Sequence, residues 1–435
     1  MSAATAPVRT ASRWWQVVYA IVVMLMISVY EYTFTLFQAP LQRSLGSSLS
    51  MIGLTYTFYV VVQALGQIPG GALMDRIGPR WVMTVAALFA GLGWIFSSLA
   101  RQIWQLWLAY GIGSIGPAIV YACAMSIALK WFPEPRMKGL VSGLNAAGFG
   151  AGSALFIPVV ASLISGSPDG WRTAFLIFGI AQLLVILVLA QVLRYPPAGW
   201  TPEGWDPRRQ ARQGRAPAST TRPWTPGEML RTWQFYALWI SFAFTAAAGL
   251  MIAGNLAAIG KSAGFGEAAG LVVLAITLSR ITNGLGRVFA GWLSDRIGRP
   301  LTMGIFYLLM GLTLFALRAT GSSPAAFLVL SILFTFFWGP IFVLNPAAVG
   351  DYYGSEHSGI NYGILYSAKA AGGVFAGFVA GALAARTGSW TLDFYLAGGM
   401  AVLAGLIAFT LRQPAEPTSA AHPLAPEAMQ QGLSG

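Results

Sequence analysis

Charged side chains are scarce in this sequence: only 9% of its 435 residues are Asp, Glu, Lys or Arg. A soluble globular domain carries about 25% charged residues. A soluble fold of this length could not cover its surface with so few, so a water-soluble enzyme is improbable. Because 56% of the residues are apolar, a disordered chain is excluded as well. The composition indicates a protein that is surrounded by lipid.

Cysteine and histidine are also nearly absent. Cys123 is the only cysteine, so neither an internal disulfide nor a thiolate metal cluster can form. The two histidines, His357 and His422, provide almost no material for histidine-based catalysis or for a His-ligated metal site. We therefore expect no catalytic residues, no metal site and no cofactor, and a membrane enzyme is a runner-up function without a supporting motif.

Long apolar segments, by contrast, are abundant. Twelve of them are long enough to cross a bilayer as helices of about 20 residues. The first is too long for the apolar part of a signal peptide, so we expect it to be retained. Their approximate limits are 14–37, 50–73, 80–100, 103–129, 138–164, 171–194, 233–258, 266–293, 300–319, 323–350, 358–384 and 389–412. The predicted fold is an all-α polytopic membrane protein.

A polar stretch rich in Pro, Gly and Arg divides the twelve segments six and six. We predict a cytoplasmic N-terminal segment at 1–13, a six-helix bundle at 14–195 and a cytoplasmic linker at 196–232. A second six-helix bundle is predicted at 233–412, followed by a cytoplasmic, disordered tail at 413–435.

The basic residues predict the orientation. With the N-terminus placed inside, 17 of the 26 Lys and Arg residues fall on inside segments and six on outside segments. This bias follows the positive-inside rule and places both termini in the cytoplasm. The expected location is the inner (plasma) membrane. The net charge of +12 is then mostly a mark of topology, and nucleic acid is not an expected partner.

An internal repeat is the strongest organisational feature. Residues 71–80 (GALMDRIGPR) recur at 291–300 (GWLSDRIGRP), an offset of 220. The same offset relates three glycines to three others, namely Gly139, Gly143 and Gly152 to Gly359, Gly363 and Gly372. Two distant segments that share one offset predict two related halves, which is the parallel-repeat plan of many transporters.

The repeated element resembles the loop signature of the major facilitator superfamily, and the resemblance runs from about residue 14 to 412. Several shorter segments are similar to the oxalate:formate antiporter family, which is related to monocarboxylate transporters. They lie at 26–37, 119–125, 131–133, 139–143, 283–287, 361–363 and 368–370. The resemblance implies two pseudo-symmetric bundles that transport small carboxylate anions, such as oxalate, formate or related mono- and dicarboxylates, by alternating access. We expect the protein to be monomeric.

Three basic residues lie inside apolar segments: Arg280, Arg287 and Lys369. A charge at the bilayer centre costs at least about 2.5–3.5 kcal/mol and is retained mainly for function or pairing. In the resembled antiporters, an arginine and a lysine at the places of Arg287 and Lys369 hold the substrate's carboxylates, so the resemblance implies that role here. A guanidinium binds a carboxylate with two hydrogen bonds, whereas an ammonium acts as a point charge. Asn283 shares a helix face with Arg287 and joins the predicted site. The glycines at 284 and 286 are expected to let neighbouring helices come close.

Glu31 is the only carboxylate that we place deep in a span, where the resembled oxalate carrier has a neutral amide. Arg280, which the resembled pattern lacks, faces nearly the same way as Arg287. It is either a third anion contact or the partner of Glu31. The surplus of two positive charges suits a dianion. Alternatively, Glu31 takes up a proton and couples it to a monocarboxylate, because burial favours the protonated carboxyl group. Protons are therefore a candidate coupling ion. A non-transporting anion sensor is a distant alternative.

Aromatic residues are predicted to shape the cavity. Tyr32, Tyr121 and Trp338 match positions that line the anion site in the resembled family. Tyrosine hydroxyls donate to carboxylates, and ring walls limit the size of the ligand. Phe342 stands where the oxalate carrier has a tyrosine, so a hydroxyl donor is missing and strict oxalate selectivity is not expected.

The repeat offset places charge recognition in the C-terminal half. The positions that correspond to Arg287, Asn283, Lys369 and Arg280 are Gln67, Gln63, Phe149 and Val60. We therefore expect the N-terminal half to provide a wall and hydrogen bonds.

The two signature loops form a separate predicted site, a conformational latch. Its residues are Gly71, Asp75, Arg76, Arg80, Gly291, Asp295, Arg296 and Arg299. An aspartate here can meet a helix N-terminus or a nearby arginine, and the glycines permit close helix contact. In the superfamily such loops latch the cytoplasmic side in the outward-facing state. The alternative is that they carry topogenic charge only.

Overall fold

The computed structural model describes residues 10–132, 134–197, 200–202, 224–265, 269–320, 323–354 and 357–415. Within these ranges the regular structure is helical, and twelve helices are long and apolar enough to cross a membrane. The predicted all-α fold with twelve transmembrane helices is confirmed. Most of the predicted N-terminal segment, linker and tail lies outside the described residues, so the domain limits stay a prediction.

The first six spans, α1 to α6, include three that are broken into segments. They are α1 (Thr10–Tyr32 and Phe34–Leu45), α2 (Leu49–Ile77), α3 (Pro79–Ser98), α4 (Ile103–Gly113 and Ile115–Trp131), α5 (Pro135–Gly152, the 3-10 turn Ser153–Leu155 and Ile157–Ser165) and α6 (Gly170–Val192).

A short helix, Pro226–Met229, precedes the second set of spans. They are α7 (Trp233–Ala253, then Leu256–Gly260 and the π turn Lys261–Phe265), α8 (Ala269–Ile297), α9 (Arg299–Thr320), α10 (Pro324–Trp338 and Ile341–Tyr353), α11 (Ser358–Tyr366, Ala368–Val374, the π turn Phe375–Val379 and Ala380–Thr387) and α12 (Thr391–Thr410).

The repeat predicted from the sequence is visible in the helices. α2 and α8 are both 29 residues long, and their ends are related by the offset of 220. Each is followed by a glycine at positive φ, Gly78 at 83° and Gly298 at 90°. Glycine adopts this conformation without steric cost, so both signature loops turn sharply into the next helix.

Equivalent glycines also make equivalent close contacts. A Cβ at Gly152 of α5 would lie 2.7 Å from Leu25 Cα on α1, and a Cβ at Gly372 of α11 would lie 2.9 Å from Ala247 N on α7. These distances are too short for a side chain. The offset therefore relates packing as well as sequence.

Both described ends of the chain lie at the same end of the bundle, because the number of spans is even. We name this end the terminal face and the other end the opposite face. Near the opposite face the halves are hydrogen-bonded to each other. Gln38 Nε2 donates to Asn255 Oδ1 at 2.8 Å, and Ala257 N donates to Thr35 Oγ1 at 3.0 Å. Gly53 and Gly377 pack so closely that a Cβ on either would overlap the backbone of the other.

The break in α1 positions the residues of interest. The Thr33 hydroxyl donates to the Val29 carbonyl at 2.7 Å, a side-chain hydrogen bond that competes with the regular helix ladder and often bends a helix. Glu31 and Tyr32 directly precede this break and are both buried between the two halves.

Candidate functional site

The three intramembrane cations are completely buried in the C-terminal half. Arg280 and Arg287 lie two turns apart on the uninterrupted helix α8. Lys369 follows a break in α11 at Ser367, where one helical segment ends and the next begins. The three differ in what they bind.

Lys369 is paired with two side chains, and both come from the N-terminal half. Its Nζ lies 2.7 Å from Glu31 Oε2 and 2.9 Å from Gln63 Oε1. Glu31 Oε2 also accepts a long hydrogen bond from Tyr59 Oη at 3.5 Å. Both charged side chains have no solvent-exposed surface. This ion pair therefore joins α1 to α11 across the interface between the halves.

The alternative in which Glu31 pairs with Arg280 is not what the structure shows. Because α11 packs against α2 at this depth, its lysine reaches the carboxylate of Glu31 and the amide of Gln63. α8 packs against α5 instead, which leaves Arg280 against the ring of Tyr32. The packing of the helices therefore determines which cation forms the ion pair with Glu31.

Arg287 is also well bonded. Its Nε and Nη2 donate to Asn283 Oδ1 at 3.2 and 2.9 Å. Its Nη1 donates to the carbonyl of Ala146 at 2.9 Å, and Nη2 donates to Tyr32 Oη at 3.2 Å. Asn283, one turn away on the same helix, fixes the direction of the guanidinium fork. Ala146 and Tyr32 belong to the N-terminal half, so this cation bridges the halves as well.

Arg280 has no hydrogen-bond partner on Nε, Nη1 or Nη2 among the described residues, although it is completely buried. Its Cζ lies 4.5 Å from the centre of the Tyr32 ring. Such a cation–π contact supplies about 0.5–2 kcal/mol, which is less than a desolvated guanidinium needs.

The glycines beside Arg287 allow the close helix contact that the sequence predicted. A Cβ at Gly284 would lie 2.8 Å from Ala151 Cβ on α5, and a Cβ at Gly286 would overlap the carbonyl of Phe336 on α10. The packing is looser at Gly291, where a Cβ would lie 3.6 Å from Val343 Cγ1, and its role in the latch stays a prediction. This separation is an ordinary van der Waals distance, so α8 and α10 have already diverged at Gly291.

The predicted aromatic residues meet around these cations. The Tyr32 ring lies 6.2 Å from that of Trp338, and the Trp338 ring lies 5.9 Å from that of Phe342. Phe342 faces both Arg287 Cζ at 4.7 Å and Lys369 Nζ at 5.4 Å. The Tyr121 hydroxyl and Trp338 Nε1 are buried without a partner among the described residues. The Tyr121 hydroxyl is therefore an unused donor beside the cations, whereas Trp338 Nε1 packs against Gly249 of α7.

Phe149, the repeat equivalent of Lys369, completes the wall from the N-terminal half. Its ring lies 5.4 Å from that of Tyr32 and 5.3 Å from that of Tyr121. Gln63, the equivalent of Asn283, binds Lys369 as described above. The structure thus places aromatic and amide groups of one half opposite the cations of the other.

The sequence interpretation missed Tyr366. Its ring lies 5.6 Å from Lys369 Nζ and 6.2 Å from the ring of Tyr121, and its hydroxyl is buried without a partner among the described residues. The signal was available, because Tyr366 precedes Lys369 by three residues and so shares its helix face.

A second buried carboxylate was also missed. Asp393 is completely buried, but it lies in the first turn of α12, where the positive end of the helix dipole favours a carboxylate. His, Cys, Asp and Glu side chains of the described ranges form no group of three or more that could hold a metal ion.

Of the predicted latch residues, those whose contacts the structure describes lie against their own halves. Arg80 Nε donates to Gln191 at 2.8 Å, and Arg299 lies 2.7 Å from Asp295 and 3.1 Å from Asp351. In the same half, the Arg296 guanidinium stacks on Trp292 at 4.0 Å. Arg76 is exposed. The surroundings of Gly71 and the side chain of Asp75 lie outside what the structure describes.

Comparison with known sequences gives a family match. The model of the Major Facilitator Superfamily matches residues 19–281 and 265–433. The chain is 32% identical over 421 residues to the oxalate:formate antiporter of Oxalobacter formigenes, covering 96% of each sequence. It is 24% identical over 359 residues to monocarboxylate transporter 13 of Rattus norvegicus, covering 81% of this chain and 78% of the relative.

The fold matches that of a solved transporter. A partially occluded inward-open conformation of the xylose transporter XylE from Escherichia coli superposes with a TM-score of 0.68 at 15% identity. The match covers 92% of this chain and 98% of the other. The sequence and fold comparisons agree on the architecture.

Proposed function

This chain belongs to the major facilitator superfamily, and from that premise we propose that it is a secondary active transporter of small carboxylate anions. The family and fold make it a multi-pass membrane transporter and not an enzyme. Its relatives are named for oxalate, formate and monocarboxylates, which supports oxalate, formate or a related mono- or dicarboxylate as the substrate. The proposed location is the inner (plasma) membrane, with the terminal face in the cytoplasm and a monomer as the working unit.

The proposed binding place lies between Arg287 and Lys369. The observation that carries it is that both buried cations belong to one half while their bridging partners belong to the other. An anion that replaces these partners would tie the halves together at mid-membrane. Asn283 would hold the Arg287 fork towards a carboxylate, which a guanidinium binds with two hydrogen bonds.

The aromatic residues would set the shape of this place. Tyr121 would donate to the anion, because its hydroxyl is buried and unpartnered in the described structure. Trp338 would form part of the wall, since its Nε1 packs against Gly249 of α7. Tyr32 already bonds to Arg287 and would move with it. Phe342 closes the space beside both cations without adding a donor.

Alternating access then follows from electrostatics. An unpaired charge is costly inside the membrane, so the halves close when Arg287 and Lys369, the two cations that bridge them, each have a partner. In the present structure the hydrogen bonds of Gln38 and Thr35 join the halves near the opposite face. We assign the reciprocal closure at the terminal face to the latch residues of the two signature loops, which here bond within their own halves.

Proton-coupled symport is the second candidate, and the Glu31–Lys369 contact of 2.7 Å favours it. A proton on Glu31 would abolish the ion pair and leave Lys369 free to hold a monocarboxylate. Binding of the proton and binding of the anion would then strengthen each other by the same factor. The two candidates share one site and differ in what releases Lys369.

Counterflow in proteoliposomes tests the proposal. Vesicles preloaded with unlabelled oxalate, formate or lactate should accumulate the labelled anion transiently, as a carrier does and a channel or a sensor does not. Arg287→Gln and Lys369→Gln should abolish this accumulation. Arg386→Gln is the matched control, because Arg386 is an exposed arginine at the far end of α11. Counterflow that survives both site substitutions would refute the site, and absence of counterflow with every carboxylate would refute the function.

A further inference from the structure

We propose that Arg280 forms a second anionic subsite, so that the substrate is a dianion whose two anionic groups are separated by a short spacer. This inference rests on the proposed function, since it names the class of anion that the same site takes. It also differs from simple oxalate recognition, in which the two carboxylates are bonded directly to each other.

The state of Arg280 is the first observation. Arg287 and Lys369 have hydrogen-bond partners in the protein, whereas all three nitrogens of Arg280 are buried without one in the described structure. A guanidinium stays charged in proteins and offers five donors in a fixed fork. A buried and unpartnered fork of this kind is suited to an oxyanion such as a carboxylate or a sulfonate.

Arg280 also has no ion-pair partner in the described structure, because Glu31, the carboxylate whose charge acts on it, is bonded to Lys369. The Tyr32 ring covers the guanidinium at 4.5 Å but accepts no hydrogen bond from it. α8 and α5 pack side by side, with Gly284 against Ala151 and Arg287 beside Gly150. This register brings the turn Ser153–Leu155 towards Arg280, and that turn contacts α8. The Ser153 hydroxyl is buried and unpartnered in the described structure, which adds a neutral donor from the other half.

The spacing of the two arginines sets the spacing of the ligand's charges. Seven residues of helix separate their Cα atoms by about 10 Å along the axis of α8. Their side chains nevertheless converge on one residue, because Arg287 bonds the Tyr32 hydroxyl while Arg280 lies over the Tyr32 ring. Two anionic groups would therefore bind at different depths along the same ring, which favours a ligand with at least one atom between them.

The charge count of the site agrees. Three buried cations face a single buried carboxylate, Glu31, so two positive charges are uncompensated in the described site. A monoanion would neutralise one of them and leave one guanidinium buried alone. A dianion neutralises both, with one group bound between Arg287 and Lys369 and the other at Arg280.

The experiment compares two classes of anion in three arginine variants, one of which is the control. Uptake of oxalate, malonate and succinate is measured at pH 7 beside uptake of formate, acetate and lactate, using wild-type protein, Arg280→Gln, Arg287→Gln and Arg386→Gln. We expect wild-type protein to prefer malonate or succinate over oxalate and over the monoanions. Arg280→Gln should lower uptake of the spaced dianions by at least about tenfold, the scale of one lost charge-assisted pair, and leave monoanion uptake within about twofold. Arg287→Gln should reduce both classes, and Arg386→Gln neither.

Other outcomes are decisive as well. A wild-type protein that transports only monoanions or oxalate overturns the inference and leaves the proposed function standing. Equal loss of both classes in Arg280→Gln overturns it too, since that result marks a structural arginine. If wild-type protein takes up none of these carboxylates, the proposed function itself is refuted.

A binding measurement on the wild type keeps the inference testable if Arg280→Gln does not fold. Succinate and acetate are titrated into purified protein, and thermal stabilisation is recorded. A stronger response to succinate supports the subsite, and an equal response overturns it. Arg280→Lys, which keeps the charge and loses the fork, should bind succinate more weakly than wild type and acetate equally well.

Discussion

Replacement of Glu31 by glutamine isolates the ion pair that joins the two halves. The carboxylate lies 2.7 Å from Lys369 Nζ, and neither side chain is exposed. Removal of one partner of a buried ion pair costs about 3–5 kcal/mol, because the other charge is left without compensation. Lys369 keeps its contact to Gln63 at 2.9 Å, so we expect the low end, about 3 kcal/mol, for the empty protein.

The same substitution should strengthen anion binding. Without Glu31, the Lys369 ammonium is free, and a carboxylate ligand can take the place of the missing side chain. An anion should therefore stabilise Glu31→Gln more than it stabilises the wild type. Lys369→Gln should be destabilised as well, but it should gain no additional stabilisation from the anion.

Unfolding in mixed micelles, titrated with SDS with and without oxalate or succinate, measures these free energies. The Glu31→Gln/Lys369→Gln double variant should lose less than the sum of the two single losses, with a coupling of at least about 1 kcal/mol. The reasoning is refuted if Glu31→Gln is as stable as wild type, or if the anion stabilises both by the same amount.

Three more predictions follow from named contacts. Arg287→Lys keeps the charge but loses the two hydrogen bonds to Asn283 and the fork, so carboxylate uptake should fall at least about tenfold in a vesicle assay, and full activity would contradict the bidentate role. If symport operates, uptake should rise as the pH on the entry side falls, because a proton on Glu31 releases Lys369. Glu31→Gln should remove this dependence. If the pH profile of uptake by Glu31→Gln equals that of the wild type, Glu31 is a structural partner. A valine in Gly377→Val would overlap Gly53 and Thr57 and prevent closure near the opposite face. In a Cys123→Ala background, the thiol of Gln38→Cys reports on this closure, and it should react faster with a maleimide when Gly377→Val is present. An unchanged reaction rate would contradict the closed contact.

The spans could be predicted because lipid allows the backbone few conformations. A segment without water must satisfy its backbone internally, so a long apolar run is a helix, and its limits follow from charges, Pro and Gly. The repeat could be predicted for a similar reason, since the positive-φ glycines Gly78 and Gly298 and the close-packed Gly152 and Gly372 allow little substitution.

The burial of Arg280, Arg287 and Lys369 could also be predicted, because charged side chains deep inside apolar spans face the interior of the protein. Their partners could not. Whether Glu31 meets Lys369 or Arg280 depends on α11 crossing α2 and α8 crossing α5, which is a matter of helix packing and not of local pattern.

Equilibrium binding of a radiolabelled carboxylate to purified protein tests the central claim most directly. The account predicts saturable binding to the wild type and to Arg386→Gln, and loss of that binding in Arg287→Gln and in Lys369→Gln, each verified as folded. Unchanged affinity in both site variants would contradict an anion site between the two halves.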